Sequence, residues 1–85
     1  MKKLEYKIKS RQGIHARAAV MLVREAKKYD CGISLKVKEL TARAADLMEI
    51  MCLDVQWGQE LTLEFEGKEE EAAYEGIKRL FEENL

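Results

Sequence analysis

The single histidine of this chain lies in the stretch Gly13-Ile14-His15-Ala16-Arg17, between an alternating segment and an amphipathic helical one. A helix beginning there presents unpaired main-chain amides and a partial positive charge. Both favour anions, and the charge disfavours a protonated ring. One imidazole nitrogen is then left with a lone pair for nucleophilic attack. Arg17 adds a fixed cation whose forked donors match phosphate oxygens. Gly13 lets the preceding loop bend tightly. Together these residues suit acceptance of a phosphoryl group, with His15 as nucleophile. The amides near Ala16 and Arg17, and the Arg17 guanidinium, would stabilise charge on the transferred oxygens. No metal or other cofactor is needed, and the chain has no GxxxxGK segment to cradle a nucleotide. A plainer reading of the same residues makes His15 a solvent-exposed cap with no chemistry, and the five residues alone leave both open.

The elements that must position His15 are read from periodicity. Leu4, Tyr6 and Ile8 alternate, which predicts a first strand that ends at Ser10-Arg11-Gln12-Gly13. Ala16, Ala19, Val20, Val23 and Ala26 share one face of a first helix that ends near Tyr29 and Asp30, with Arg17, Arg24, Lys27 and Lys28 largely opposite. Ile33, Leu35 and Val37, then Leu40, Ala42 and Ala44, predict a hairpin turning at Lys38-Glu39. A short second helix follows, with Asp46 as its N-cap and Glu49 placed for a capping box. Leu61, Leu63 and Phe65 mark a fourth strand. A last helix buries Ala73, Ile77, Leu80 and Phe81 behind a solvated acidic first turn at Glu69 to Glu71. The order is β-α-β-β-α-β-α. Strands with one apolar face each imply an α+β open-faced sandwich, a mainly antiparallel sheet covered by helices on one side.

Length and composition narrow the function classes. Eighty-five residues suit one domain, and 47% hydrophobic with 36% charged residues describe an ordinary globule with one modest core. A formal net charge of −1 argues against a dedicated nucleic-acid binder. The charge is unevenly spread: residues 1–43 hold 12 Lys/Arg and 4 Asp/Glu, and residues 44–85 hold 3 and 12. The fold either interleaves these halves or presents one basic and one acidic face. Cys31 and Cys52 fit no zinc pattern and are expected as reduced, partly buried thiols of a cytoplasmic protein. The opening Met1-Lys2-Lys3-Leu4 lacks the apolar run of a signal peptide, and the longest apolar run, Ala18–Val23, is far too short to enter a membrane.

The heptapeptide GIHARAA resembles the phosphorylation-site motif GIHARPA of HPr, the histidine-containing phosphocarrier of the bacterial phosphoenolpyruvate:sugar phosphotransferase system. A second signature, ADLMEIMCL, stands at the HPr spacing with no gap between the two, and the likeness covers the whole chain. The resemblance implies a four-stranded antiparallel sheet with three helices on one face. It matches His15 with the histidine that Enzyme I phosphorylates at the expense of phosphoenolpyruvate, and Arg17 with the phosphate-contacting arginine. Val20, Arg24, Lys27, Leu47, Met48 and Met51 match the surface that docks Enzyme I and the sugar-specific IIA proteins. The implied activity is that of a phosphoryl carrier working through phosphohistidine, rather than of a turnover enzyme on a small substrate. For Met48 and Met51, ordinary core packing is the competing reading.

Four positions depart from the family pattern. Ala18 replaces the motif's proline and is expected to loosen the helix entry and slow phosphotransfer. Asp46 stands where HPr of Gram-positive bacteria carries a regulatory serine, so a permanent carboxylate partly imitates the phosphorylated side chain. Glu49 and Asp54 add two further acids to the expected docking face. The Enzyme I surface implied by the family is itself acidic, so like charges would meet there. An alternative follows: a regulatory module whose Asp46 imitates phosphoserine and docks a transcription regulator of the catabolite-control type, as the HPr-like regulator Crh does. Crh lacks the active histidine and keeps the serine, the reverse of this chain.

Overall fold

The computed structural model describes all 85 residues, Met1 to Leu85. Its elements are β1 (Lys2–Lys7), α1 (Ala16–Ala26), β2 (Gly32–Val37), β3 (Leu40–Arg43), α2 (Leu47–Leu53), β4 (Glu60–Glu66) and α3 (Glu70–Asn84). The strands form one sheet in the order β1-β4-β2-β3, with every neighbouring pair antiparallel. The expected β-α-β-β-α-β-α open-faced sandwich is the architecture observed.

Period-two alternation decides which way the sheet faces. Leu63 at its centre pairs with Leu4 on one side and Leu35 on the other, and Phe65 pairs with Ile33. These side chains all point to the covered face and are buried. α3 lies over β1 and β4 beside α1, and α2 packs against α1 and β3. The resulting core contains no buried polar or charged side chain. Tyr6, at its edge, donates its hydroxyl to the Phe81 carbonyl at 3.0 Å and meets the Phe81 ring edge-on, so its polar tip is satisfied near the end of α3. On the open face, Glu64 pairs with Lys3 at 3.6 Å and Lys36 at 3.3 Å.

Three sequence expectations are corrected. α1 buries Ala18, Ala19, Leu22 and Ala26, whereas Ala16 is exposed and Val20 and Val23 are half-buried. The stripe is rotated from the predicted one because it centres on Leu22, the largest apolar side chain available to it, and burial rewards area. The helix also stops at Ala26 rather than near Tyr29. The Tyr29 hydroxyl instead turns back to Glu25 at 2.6 Å. The hairpin does turn at Lys38-Glu39 as expected, with Lys38 at a positive φ of 56° in place of an Asn-Gly pair, but the apolar alternation of its second strand fails at its start. Leu40, at the end of an edge strand, is left 56% exposed.

The uneven charge is interleaved across the sheet and kept apart on α1. Met1, Lys2, Lys3, Lys36 and Arg43 from the basic half all pair with acids of the second half. Arg17 and Arg24 on α1 and Lys27 at its C-cap form no ion pair. Cys31 and Cys52 are both free, Cys31 half-buried and Cys52 exposed rather than partly buried. No helix is long and apolar enough to cross a membrane.

Candidate functional site

The loop before α1 is folded by local hydrogen bonds. Gln12 donates its amide to the Ser10 hydroxyl at 3.3 Å, and Gly13 donates to the Ser10 carbonyl at 3.0 Å. Gly13 takes a φ of +66°, a conformation that costs a side-chain-bearing residue about 1–2 kcal/mol. Ile14 is buried, and its amide donates to the Val55 carbonyl at 3.0 Å. The segment that follows α2 therefore braces the loop that delivers His15.

His15 is the N-cap of α1, with extended φ −77° and ψ 169°. Its carbonyl accepts the Ala19 amide at 2.9 Å, and its ring Nδ1 accepts the Ala18 amide at 3.4 Å. As the acceptor of that amide, Nδ1 turns its lone pair to the first turn. The ring is half-buried, reachable and turned toward the helix start. The amides of Ala16 and Arg17 have no acceptor within the chain. α1 carries no acidic residue in its first turn, so nothing of its own neutralises that end. The structure thus places at one helix end the Nδ1 lone pair, two open amides and, in the same first turn, the exposed Arg17, which is in no ion pair. An anionic group bonded at Nδ1 would meet donors that are already in place.

The other singled-out residues fall on the exposed parts of α1 and α2. Arg24 and Lys27 are exposed and Val20 is half-buried. Leu47, Met48 and Met51 are 38%, 71% and 41% exposed. The two methionines are therefore surface side chains, not core packing. Asp46 caps α2 through Oδ1, which accepts the Glu49 amide at 3.1 Å. The return half of the capping box does not form. Glu49 Oε1 accepts the Arg43 amide at 2.8 Å, while the Arg43 side chain grips both Glu49 oxygens and reaches Asp46 Oδ2 at 3.2 Å. Arg43 holds the Glu49 carboxyl below the usual carboxylate range, chiefly through the side-chain hydrogen bond. Asp54 accepts the Gln56 side-chain amide at 2.7 Å. All three acids on the expected docking face are engaged, and two of them share one guanidinium.

Three features lay outside the sequence reading. The Ala18 amide is a donor to His15, a role that no side chain announces. The Val55 brace follows from tertiary approach. The Arg11 guanidinium lies over the exposed Trp57 ring at 5.3 Å and joins the His15 loop to the loop after α2 a second time.

A family profile described as the PTS HPr component phosphorylation site matches residues 2–83. The chain is 36% identical over 76 residues to the phosphocarrier protein HPr of Treponema pallidum, covering 89% of this chain and 86% of that one. Its fold is similar to the crystal structure of HPr-C-His from Thermoanaerobacter tengcongensis, with a TM-score of 0.92 and 34% identity over 96% of this chain and 92% of that one. It is also similar to Crh, the catabolite repression protein of Bacillus subtilis, with a TM-score of 0.78 and 27% identity over 100% and 98% of the two chains. A profile that spans all but the ends of the sequence, and relatives that agree in length, fold and element order, make this chain a member of the HPr phosphocarrier family.

Proposed function

We propose that the protein carries a phosphoryl group on His15, receiving it from a phosphoenolpyruvate-charged Enzyme I and delivering it to a IIA-type acceptor in sugar uptake. The Nδ1 lone pair attacks phosphorus as the donor's bond to phosphorus breaks, and the proton on Nε2 stays with the ring. The amides of Ala16 and Arg17 and the Arg17 guanidinium take the phosphoryl oxygens. Transfer to the acceptor reverses these changes. The observation that carries the reading is the place of the only imidazole at the N-cap of α1, its Nδ1 turned to a first turn in which the Ala16 and Arg17 amides have no acceptor. The exposed apolar group Leu47, Met48 and Met51, with the unpaired cations Arg24 and Lys27, supports a docking face for acidic partners.

The test is incubation with phosphoenolpyruvate and the Enzyme I of the same organism. An acid-labile, base-stable phosphate should appear and should be absent from His15→Ala. A chain that stays unlabelled under every Enzyme I of its host is not a carrier.

A regulatory module is the second reading, favoured by the likeness to Crh and by the carboxylate at the start of α2. Against it, Asp46 spends one oxygen on the helix cap and the other on Arg43, leaving less free charge than a phosphoserine offers. Tight binding to a catabolite-control regulator that is lost in Asp46→Ala, with no label on His15, would establish this second reading instead.

A further inference from the structure

We infer that the Ala18 main-chain N–H is a third donor of the phosphoryl site, one that moves from the ring nitrogen to a phosphoryl oxygen when His15 is modified, and so prolongs the phosphorylated state. The inference rests on the carrier reading. Its starting point is that Ala18 N–H has one acceptor, His15 Nδ1, at 3.4 Å. Ala18 is the third residue of α1, so no carbonyl of its own helix lies four residues back to take that proton. Its side chain is fully buried, which fixes the direction of the amide.

The lone pair that accepts this proton is the one that forms the N–P bond. Once it is used, Nδ1 accepts nothing, and the Ala18 amide is left pointing at the atom that now bears the phosphoryl group. A polar group shielded from water and without a partner is costly. The nearest new acceptors would be the phosphoryl oxygens, once the ring has turned enough to seat phosphorus on the lone pair that the amide now faces. The exchange replaces a long bond between neutral groups with a charge-assisted bond, roughly twice as strong. The gain belongs to the phosphorylated state. It is lost in part as the phosphoryl group departs, because a loose transition state draws charge away from the oxygens. A proline in this position, as in the motif GIHARPA, has no N–H to offer. Ala18 is thus a positioning residue for the phosphorylated form and more than a loosened helix start.

The experiment avoids any Enzyme I by phosphorylating the protein with potassium phosphoramidate, and then follows loss of the phosphoryl group at neutral pH by 31P NMR and intact mass. Three forms are compared with the natural chain: Ala18→Pro; replacement of Ala18 by lactate, which turns the Arg17–Ala18 amide into an ester and removes only the N–H; and Ala18→Ser, which keeps the N–H. The ester and Ala18→Pro should lose the phosphoryl group roughly 3- to 10-fold faster, and Ala18→Ser should decay like the natural chain. In 15N-labelled natural protein the Ala18 amide proton should move downfield on phosphorylation, a response that a purely structural residue would not give. Equal decay in the ester and the natural chain, or an unmoved Ala18 amide, overturns the inference. So does a His15 that phosphoramidate cannot modify. A clear Ala18 effect in a chain that no Enzyme I labels would overturn the carrier function and leave the donor role standing.

Discussion

The Val55 carbonyl oxygen occupies the space that a Cβ on Gly13 would need, and the same oxygen accepts the Ile14 amide at 3.0 Å. One atom thus braces the His15 loop and excludes any side chain from it. Gly13→Ala should meet both the left-handed backbone at φ +66° and a main-chain clash, and should cost about 2–4 kcal/mol. The check is urea unfolding, with phosphoramidate labelling of His15 alongside. A midpoint equal to that of the natural chain would show that the loop gives way easily and that the brace is not needed.

The acids on α2 bear on the choice of partner. Arg43 neutralises Asp46 and Glu49 only in part, since its side chain is 72% exposed and its pairs are open to salt. Asp46→Ser with Glu49→Gly should retain the helix cap, free Arg43, and raise the rate of transfer from a conventional Enzyme I by about threefold or more at low salt. The gain should shrink as salt is added. A rate that stays level or falls would mean that like-charge encounter is not the obstacle. A companion variant isolates the cap: Asp46→Ala should lose ~1 kcal/mol of stability, whereas Asp46→Asn should lose little.

Met48 is the most exposed side chain of the apolar group on α2. Met48→Asp should change folding stability by no more than about 0.5 kcal/mol, because the side chain is 71% exposed and has little packing to lose. Transfer from Enzyme I should drop about tenfold, the loss expected of a docking residue worth roughly 1.4 kcal/mol. Phosphoramidate labelling, which needs no docking, should be unaffected. If transfer keeps its rate, this face of α2 is not where the partner sits.

The parts of the molecule that could be read from sequence are those whose causes are local. Gly13, His15 and Arg17 announce themselves by residue type, and the alternation around Leu63 fixes both the strand and its covered face. The phase of α1 was not legible. Ala16 and Ala18 fit a helical stripe equally well by periodicity, and only the burial of Leu22 chooses between them. Non-local pairs leave no trace in a single sequence. Glu64 meets Lys3 and Lys36 because three strands come into register, and nothing near any of the three residues predicts it. The Ala18 donor is silent in the sequence for a different reason. Every residue except proline carries an N–H, so the only hint was the departure from the family's proline.

Far from His15, α1 and α3 meet where Tyr29 donates its hydroxyl to Glu25 at 2.6 Å, against Gly76. The Glu25 carboxyl lies below its ordinary range, chiefly because of the Tyr29 hydroxyl, with Lys28 and Arg79 adding to the effect. A carboxyl depressed in the folded state contributes stability in full above its unfolded value of about 4.3. That contribution is lost as pH falls through the lower folded value. Gly76→Ala would normally favour a helix by about 1 kcal/mol. Here a Cβ would collide with the Tyr29 hydroxyl and displace it from Glu25. A hydrogen bond to a charged group is worth about 1.5–3 kcal/mol, so the substitution should destabilise by about 1 kcal/mol at pH 7. It should also flatten the fall in melting temperature between pH 7 and pH 3, as Glu25→Gln should. Adding Tyr29→Phe to Gly76→Ala should recover part of the helix gain without restoring the acid sensitivity. Thermal melts across that pH range decide the matter: a Gly76→Ala protein that melts higher than the natural chain and keeps its full acid sensitivity would show that Tyr29 swings aside freely and that the Tyr29–Glu25 bond contributes nothing to the helix junction.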